Sequence, residues 1–213
     1  MAEEAAPQTQ LEQLWAGDFG DDYVDRNFEA ERGRERFWRE LLGRLELADA
    51  LEVGCNVGGN LRWVAEAVGP ERTHGVDLNR KALSVLEQRV PGVSATHARA
   101  SELPFADASF DLVFTMGVLI HQSSEQLPAV MAEIVRCSRR YVLCGEYFAE
   151  ADVEVPYRGH RGALFKRDYG GLYLVRHPGL KLVDRGFLPS SEGTWDDVTW
   201  WLFDKSAQAA PVH

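Results

Sequence analysis

Along the first fifth of the chain, apolar residues recur at helical spacing. Phe37, Trp38, Leu41, Leu42 and Leu45 fall three, four or one position apart, with Phe28 further ahead, which predicts a half-buried helix over about 24–45. Ahead of it, residues 14–23 mix aromatics, glycines and acids without a clear period, and residues 1–12, rich in Ala, Glu and Gln, read as a flexible leader. From Ala50 the pattern changes to short apolar runs alternating with amphipathic ones. Strands are expected over 50–53, 73–76, 94–97, 110–115 and 140–144. Helices are expected over 61–68, stopped by Gly69-Pro70, over 80–89, stopped by Pro91-Gly92, and over 127–137.

Strand and helix in alternation imply a parallel sheet covered on both faces. The end of the chain departs from this rhythm. Strand candidates 180–188 and 198–204 have only the loop 189–197 between them, too short for a parallel crossover, so they form an antiparallel hairpin. The expected fold class is therefore α/β: a Rossmann-like, doubly wound, mostly parallel sheet with a C-terminal antiparallel hairpin and an N-terminal helical arm.

Composition narrows the partners. The 213 residues are 45% hydrophobic, enough to bury one full core, so a single domain over 1–213 is expected. The 23 Lys+Arg against 33 Asp+Glu give a formal charge of −10, which disfavours nucleic acid and anionic membrane surfaces. Residues 1–10 lack a basic segment and an apolar core, so they do not read as a signal peptide, and the apolar stretch 112–120 is too short to span a bilayer. Cys55, Cys137 and Cys144 are an odd number without zinc-type spacing. A cytoplasmic protein with no metal is expected, a monomer or homodimer acting on a small molecule.

The most informative segment is Leu51-Glu52-Val53-Gly54-Cys55-Asn56-Val57-Gly58-Gly59-Asn60. Its glycines allow a tight strand-to-helix turn, and the helix that follows offers free N–H groups to an anionic part of a nucleotide-like ligand. Asn56 stands where a dinucleotide fingerprint wants its middle glycine, and no phosphate-loop Lys follows. Asp77, 25 residues beyond Glu52, ends the second strand. It reads either as the acceptor for both ribose hydroxyls or as the N-cap of the helix that starts at Arg80.

In order, Glu52-x-Gly54-x-x-x-Gly58, Asp77, Glu102-Leu103-Pro104-Phe105 and Phe110-Asp111-Leu112-Val113-Phe114 resemble the motifs of class I S-adenosylmethionine-dependent methyltransferases over about residues 48–145. The resemblance implies a seven-stranded sheet with an antiparallel last pair. It also implies S-adenosylmethionine as cofactor, with S-adenosylhomocysteine as product. By position, it puts the methionine part over Gly54, Cys55 and Gly58, the ribose on Asp77, and the adenine near Leu78 and Ala100-Ser101. Glu52, Asn56, Asn60 and Met116 complete that set. Many relatives carry an acid where this chain has Arg99, so the adenine amino group must find its partner elsewhere, at Ser101 or backbone.

A narrower resemblance spans nearly the whole chain. Trp15-x-Gly17-x-Phe19-Gly20-x-x-Tyr23-x-x-Arg26-Asn27, Gly117-Val118-Leu119-Ile120-His121, Glu146-Tyr147, Glu154-Val155-Pro156-Tyr157-Arg158-Gly159-His160 and Leu164-Phe165-Lys166-Arg167-Asp168 resemble the methylases associated with pseudaminic acid biosynthesis. Together the two resemblances divide the chain into a leader (1–12), an arm or lid (13–47), a cofactor core (48–145), a substrate-side insertion (146–172), terminal strands (173–205) and a tail (206–213).

The pocket would then lie between arm and insertion. Glu146, just past a strand's carboxyl end, reads as a base or orienting carboxylate, or as a cap or ion-pair partner. His121 reads as a base near the cofactor or as a packed histidine. Tyr157, Arg158, His160, Lys166 and Arg167 read as an anchor for a carboxylate or as a solvated basic loop. Trp15, Phe19, Tyr23 and Tyr147 read as pocket wall or plain core. Acid in the arm and base in the insertion favour a zwitterionic acceptor such as arginine or another guanidino compound, with an acidic or nucleotide-activated sugar second. A nicotinamide-dependent oxidoreductase and a non-catalytic cofactor-binding scaffold are the alternatives of other classes.

Overall fold

The computed structural model describes residues 9–27 and 33–205. Seven strands form one sheet: β1 (Ala50–Val53), β2 (Thr73–Asp77), β3 (Ser94–His97), β4 (Phe110–Met116), β5 (Ser138–Glu146), β8 (Lys181–Leu188) and β9 (Val198–Asp204). Their order is β3-β2-β1-β4-β5-β9-β8. The first five run parallel, and β9 pairs antiparallel with both β5 and β8. The small strands β6 (Val153–Glu154) and β7 (Phe165–Lys166) pair separately inside the insertion.

Alternation along the central strands sends side chains to both faces. In β4, Val113 joins the core under α6 (Leu127–Cys137), while Leu112 and Phe114 join the opposite one, with α4 (Leu61–Val68), α5 (Arg80–Arg89) and Trp38 of α3 (Glu35–Leu42). Trp38 is fully buried, its ring 4.9 Å from that of Phe114. Inclusion of α3 in this core holds the end of the arm to the sheet.

The arm departs from expectation. Instead of one helix over 24–45 there are α1 (Gln10–Ala16), α2 (Asp18–Arg26) and then α3; Phe28 and the rest of 28–32 lie outside the described residues, as do 1–8 of the leader and 206–213 of the tail. Residues 10–12, assigned to the leader, are helical because Thr9 and Glu12 form a capping box: the Thr9 hydroxyl accepts from the Glu12 N–H, and the Thr9 N–H donates to Glu12 Oε2 at 2.7 Å. The aperiodic run 14–23 is helical on both sides of Gly17, with Trp15 and Tyr23 facing a pocket and Phe19 packed against Trp15. A further helix unseen in the pattern, α7 (Tyr169–Arg176), starts where Asp168 accepts from the Gly171 N–H.

Candidate functional site

The carboxyl ends of β1, β2 and β4 converge on a cavity of about 180 Å³. Its floor is the glycine turn. Gly54 and Gly58 have φ of +76° and +80°, and Asn56, at φ 46°, occupies the same left-handed region that asparagine tolerates. A Cβ on Gly54 would come within 2.4 Å of Val118 Cγ2, so glycine is needed there for space as well as for backbone conformation. Gly58 serves from behind: its missing Cβ makes room for Leu86.

Two carboxylates stand against this floor, Glu52 buried and Asp77 half-buried. Asp77 accepts from the Asn56 N–H at 2.8 Å and the Asn79 N–H at 2.9 Å; burial pushes its pKa up against those bonds. The N-cap of α5 is Asn79, which accepts from the Ala82 N–H, so the capping alternative for Asp77 is set aside. Glu52 takes a hydrogen bond from Asn60 Nδ2 at 2.9 Å on Oε1, and its buried Oε2 has no partner. Burial raises Glu52 to about 8, against the pull of Asn60 and of Arg34, whose guanidinium donates to Asn60 Oδ1 at 2.9 Å.

A second cavity, of about 400 Å³, adjoins the first, and Tyr23, Asn27, Arg34, Met116, Gly117 and His121 line both. Tyr147, Tyr157, Arg158, Trp195 and Asp196 complete its principal walls. His121 sits at the junction on the 3-10 turn Leu119–His121, its ring 4.4 Å from Trp15 and 5.2 Å from Tyr157. Nδ1 lies 2.6 Å from the carbonyl oxygen of Ala163, an acceptor only, so Nδ1 carries the hydrogen and Nε2 keeps its lone pair. Burial lowers the ring to about 4, which leaves it neutral at neutral pH.

Of the residues singled out in the sequence, Glu52, Gly54, Cys55, Asn56, Asn60, Asp77, Leu78, Ala100, Met116, Trp15 and Tyr23 line the first cavity, whereas Gly58 and Ser101 line neither. Tyr147, Tyr157 and Arg158 line the second. Phe19 stands behind this wall, packed edge-on to Trp15, Tyr157 and His160, so His160 is also set back. Lys166 lies 5.7 Å over the Tyr147 ring, outside both cavities.

Two expectations are corrected. Glu146 lines neither cavity; its buried carboxylate accepts from the Val118 and Ile120 N–H groups at 3.2 Å each, and so fixes the turn that carries His121. Arg167 does not anchor a ligand. Its guanidinium is 1% exposed and donates to Asp152, the Gln122 carbonyl and Ser124 Oγ, tying the insertion to the segment after His121.

The sequence reading missed Glu12, Arg34, Trp195 and Asp196. Glu12 lines the first cavity with its carboxylate held by Arg99, Nε to Oε1 at 2.8 Å and Nη2 to Oε2 at 3.0 Å. Where an acid was looked for at position 99, an arginine brings one in from α1. The arm is also held at Asn79, whose Nδ2 donates to Asp21 Oδ1 at 2.8 Å, and at Lys81, 2.8 Å from Asp25.

Residues 50–140 match a family model described as a methyltransferase domain. In structure, the chain is similar to 1,6-didemethyltoxoflavin-N1-methyltransferase of Burkholderia thailandensis, crystallised with 1,6-didemethyltoxoflavin and S-adenosylhomocysteine. The TM-score is 0.71 at 21% identity, over 95% of this chain and 93% of that one. It is also similar to magnesium protoporphyrin IX methyltransferase of Synechocystis with bound SAH, at TM-score 0.69 and 14% identity, over 92% and 98%. This is the Rossmann-like methyltransferase fold.

Curated relatives include a probable phthiotriol/phenolphthiotriol dimycocerosates methyltransferase 2 of Mycobacterium ulcerans, 33% identical over 105 residues, 48% of this chain and 38% of that protein. Another is methyltransferase GfsG of Streptomyces halstedii, 33% identical over 124 residues, 54% and 44%. The chain thus spans less than half the length of these relatives. In the methyltransferase fold seen here, the glycine turn, Asp77 and Glu52 belong to the matched segment. The arm, the insertion and the β8–β9 loop with Trp195 and Asp196 lie outside it. Among the described residues no helix is long and apolar enough to cross a membrane.

Proposed function

We propose that this protein is an S-adenosylmethionine-dependent methyltransferase acting on a small molecule. The observation that carries it is the junction of the two cavities at Met116, Gly117 and His121, with a glycine cradle and half-buried Asp77 on one side and an aromatic chamber on the other. The cradle fits the cofactor: the left-handed turn at Gly54 carries no side chain, Glu52 Oε2 is a buried oxygen without a hydrogen-bond partner, and Asp77 stands beside Leu78 and Ala100 for a ribose and its base. When bound, the sulfonium supplies an electrophilic methyl group. The chain holds the acceptor close, and the rings of Trp15, Tyr23 and Tyr157 exclude water, so that proximity provides most of the acceleration. The whole of 1–213 is read as one such unit, a monomer or homodimer in the cytoplasm.

The acceptor reading changes with the site. Glu146, which favoured a cationic nitrogen such as that of arginine, is turned to the His121 loop, and Asp196, the carboxylate found in the chamber, lies 3.3 Å from the Tyr147 hydroxyl. Arg34 and Arg158 favour a carboxylate or another anion, which keeps the acidic sugar of the pseudaminic-acid resemblance as a second acceptor.

Calorimetric titration separates the classes. S-adenosylhomocysteine is expected to bind and nicotinamide dinucleotides not to; the reverse preference refutes the proposal. Incubation with S-adenosylmethionine and an acceptor panel, read by mass spectrometry, then tests turnover. Tight cofactor binding with no methylated product from any acceptor favours the non-catalytic scaffold.

A further inference from the structure

We infer that the larger cavity takes a flat aromatic or heteroaromatic acid, a ring bearing an ionisable O–H or N–H, with that proton directed at Nε2 of His121. This rests on the methyltransferase reading above. Three observations lead to it.

The first is shape. The rings of Tyr23, Tyr147, Tyr157 and Trp195 line one chamber, and Trp15, in the wall of the adjoining cavity, lies within 29° of parallel to Tyr157 with ring centroids 6.4 Å apart. Aromatic walls of this kind gain most from a flat ring that stacks or meets them edge-on.

The second is the hydrogen-bonding state of His121. With Nδ1–H given to Ala163, the ring has only a lone pair to offer the junction, so it accepts a proton or hydrogen bond and donates none from Nε2. Glu146 fixes the backbone of this turn and Trp15 covers the ring, so the acceptor nitrogen is pre-oriented.

The third is charge and proton affinity. Among the described residues that line the chamber, Arg34 and Arg158 are cationic against the single carboxylate of Asp196. A guanidinium acceptor would meet like charges, and its proton, held with a pKa above about 12, lies far beyond the reach of a buried neutral imidazole. Aliphatic sugar hydroxyls fail in the same way, being nearly as weakly acidic as water. Phenols, at about 10, and more acidic ring N–H groups lie much nearer, and the two guanidiniums stabilise the anion they form.

The balance is simple. The acceptor's lone pair forms the new bond to the methyl carbon as the carbon–sulfur bond breaks, and sulfur keeps that electron pair. The acceptor's proton passes to His121 Nε2 and from there to solvent.

The test uses the full chain. S-adenosylhomocysteine binding is measured first by calorimetry; its absence brings down the parent reading and this inference together. With S-adenosylhomocysteine bound, tryptophan fluorescence is titrated with 8-hydroxyquinoline, a pteridinedione and 1,6-didemethyltoxoflavin, and in parallel with arginine and a nonulosonic acid. At least one planar acid is expected to quench and to bind about tenfold tighter than arginine or the sugar. His121→Ala is expected to weaken that planar acid about tenfold while S-adenosylhomocysteine affinity holds, and His121→Gln, which keeps an acceptor oxygen, to recover part of the loss. Retained S-adenosylhomocysteine binding also shows that each variant is folded. The inference alone is overturned if arginine or the sugar acid binds tighter than every planar acid, if no planar acid binds, or if His121→Ala leaves planar-acid affinity unchanged.

Discussion

Arg99 grips Glu12 side by side across 87 residues of chain, both side chains more than four-fifths buried, and Glu12 faces the cofactor cavity from α1. Burial raises the Glu12 pKa, but the bonds from Arg99 and Thr9 outweigh it and the net shift is downward. A carboxyl with a depressed folded pKa stabilises above its unfolded value, and that contribution is lost as pH falls through the folded pKa, so the arm should loosen in acid below about 4.5. Removing one partner of such a pair costs about 3 kcal/mol. Arg99→Ala should therefore release α1: limited proteolysis will cut near residues 9–17 faster, and S-adenosylhomocysteine will bind about tenfold more weakly. Unchanged proteolysis and affinity would show that the pair does not hold the arm.

Gly54→Ala should affect the floor of the same cavity. The added methyl must accept φ of +76°, a cost of about 1–2 kcal/mol, and must displace Val118, which starts the His121 turn. Loss of S-adenosylhomocysteine binding by more than about tenfold is expected, with a fall in melting temperature of about 2–8 °C. A variant that binds normally would mean that Val118 moves freely and that the cradle is looser than its geometry suggests.

The sequence exposed what local rules control. Glycine spacing around Gly54, the acid at Asp77 and the apolar runs of β1 and β4 each follow from short-range pattern, and the terminal hairpin followed from a loop too short for a crossover. What stayed hidden depends on distant pairing. Glu12 belongs to the cavity because Arg99, far along the chain, holds it there. Trp195 and Asp196 come from a loop of a hairpin that reads as mere connection. Glu146 and Arg167 carry charges that suggest chemistry, yet both are buried, Glu146 on backbone N–H groups and Arg167 on the Gln122 carbonyl, Asp152 and Ser124, in bonds that no spacing reveals. The arm misled for a related reason: Trp15 and Tyr23 line the cavities and Phe19 packs behind them, so this stretch lays no apolar stripe against the sheet.

Glu52 gives a pH signature opposite to that of Glu12. Its folded pKa, raised by burial to about 8, means that the folded state holds this proton more tightly than the unfolded chain. Stability from this group is complete below the unfolded value near 4.5 and falls as pH rises from there to about 8. Glu52→Gln keeps an oxygen for Asn60 Nδ2 and removes the titration. Denaturant unfolding of both proteins across this range should show the wild type losing stability relative to the variant between about pH 4.5 and 8, and a constant difference above. A difference that is level throughout would place the ionised carboxylate in the folded state and a counter-charge beside Oε2.

Glu146→Gln distinguishes support from catalysis. Burial raises this carboxyl to about 7, while the N–H groups of Leu119, Ile120 and Val118 favour its charged form and keep the rise from going further. The amide supplies one acceptor and turns an NH₂ toward a backbone N–H, leaving a buried donor unpaired at about 1–3 kcal/mol. The variant should lower the melting temperature measurably and displace His121, so that turnover falls about tenfold or more while S-adenosylhomocysteine affinity stays within about threefold. Glu146→Asp, too short to reach both N–H groups, should fail in the same way. Were Glu146 the base itself, the glutamine variant would lose turnover with its melting temperature unchanged, and thermal denaturation run beside the activity assay decides between the two.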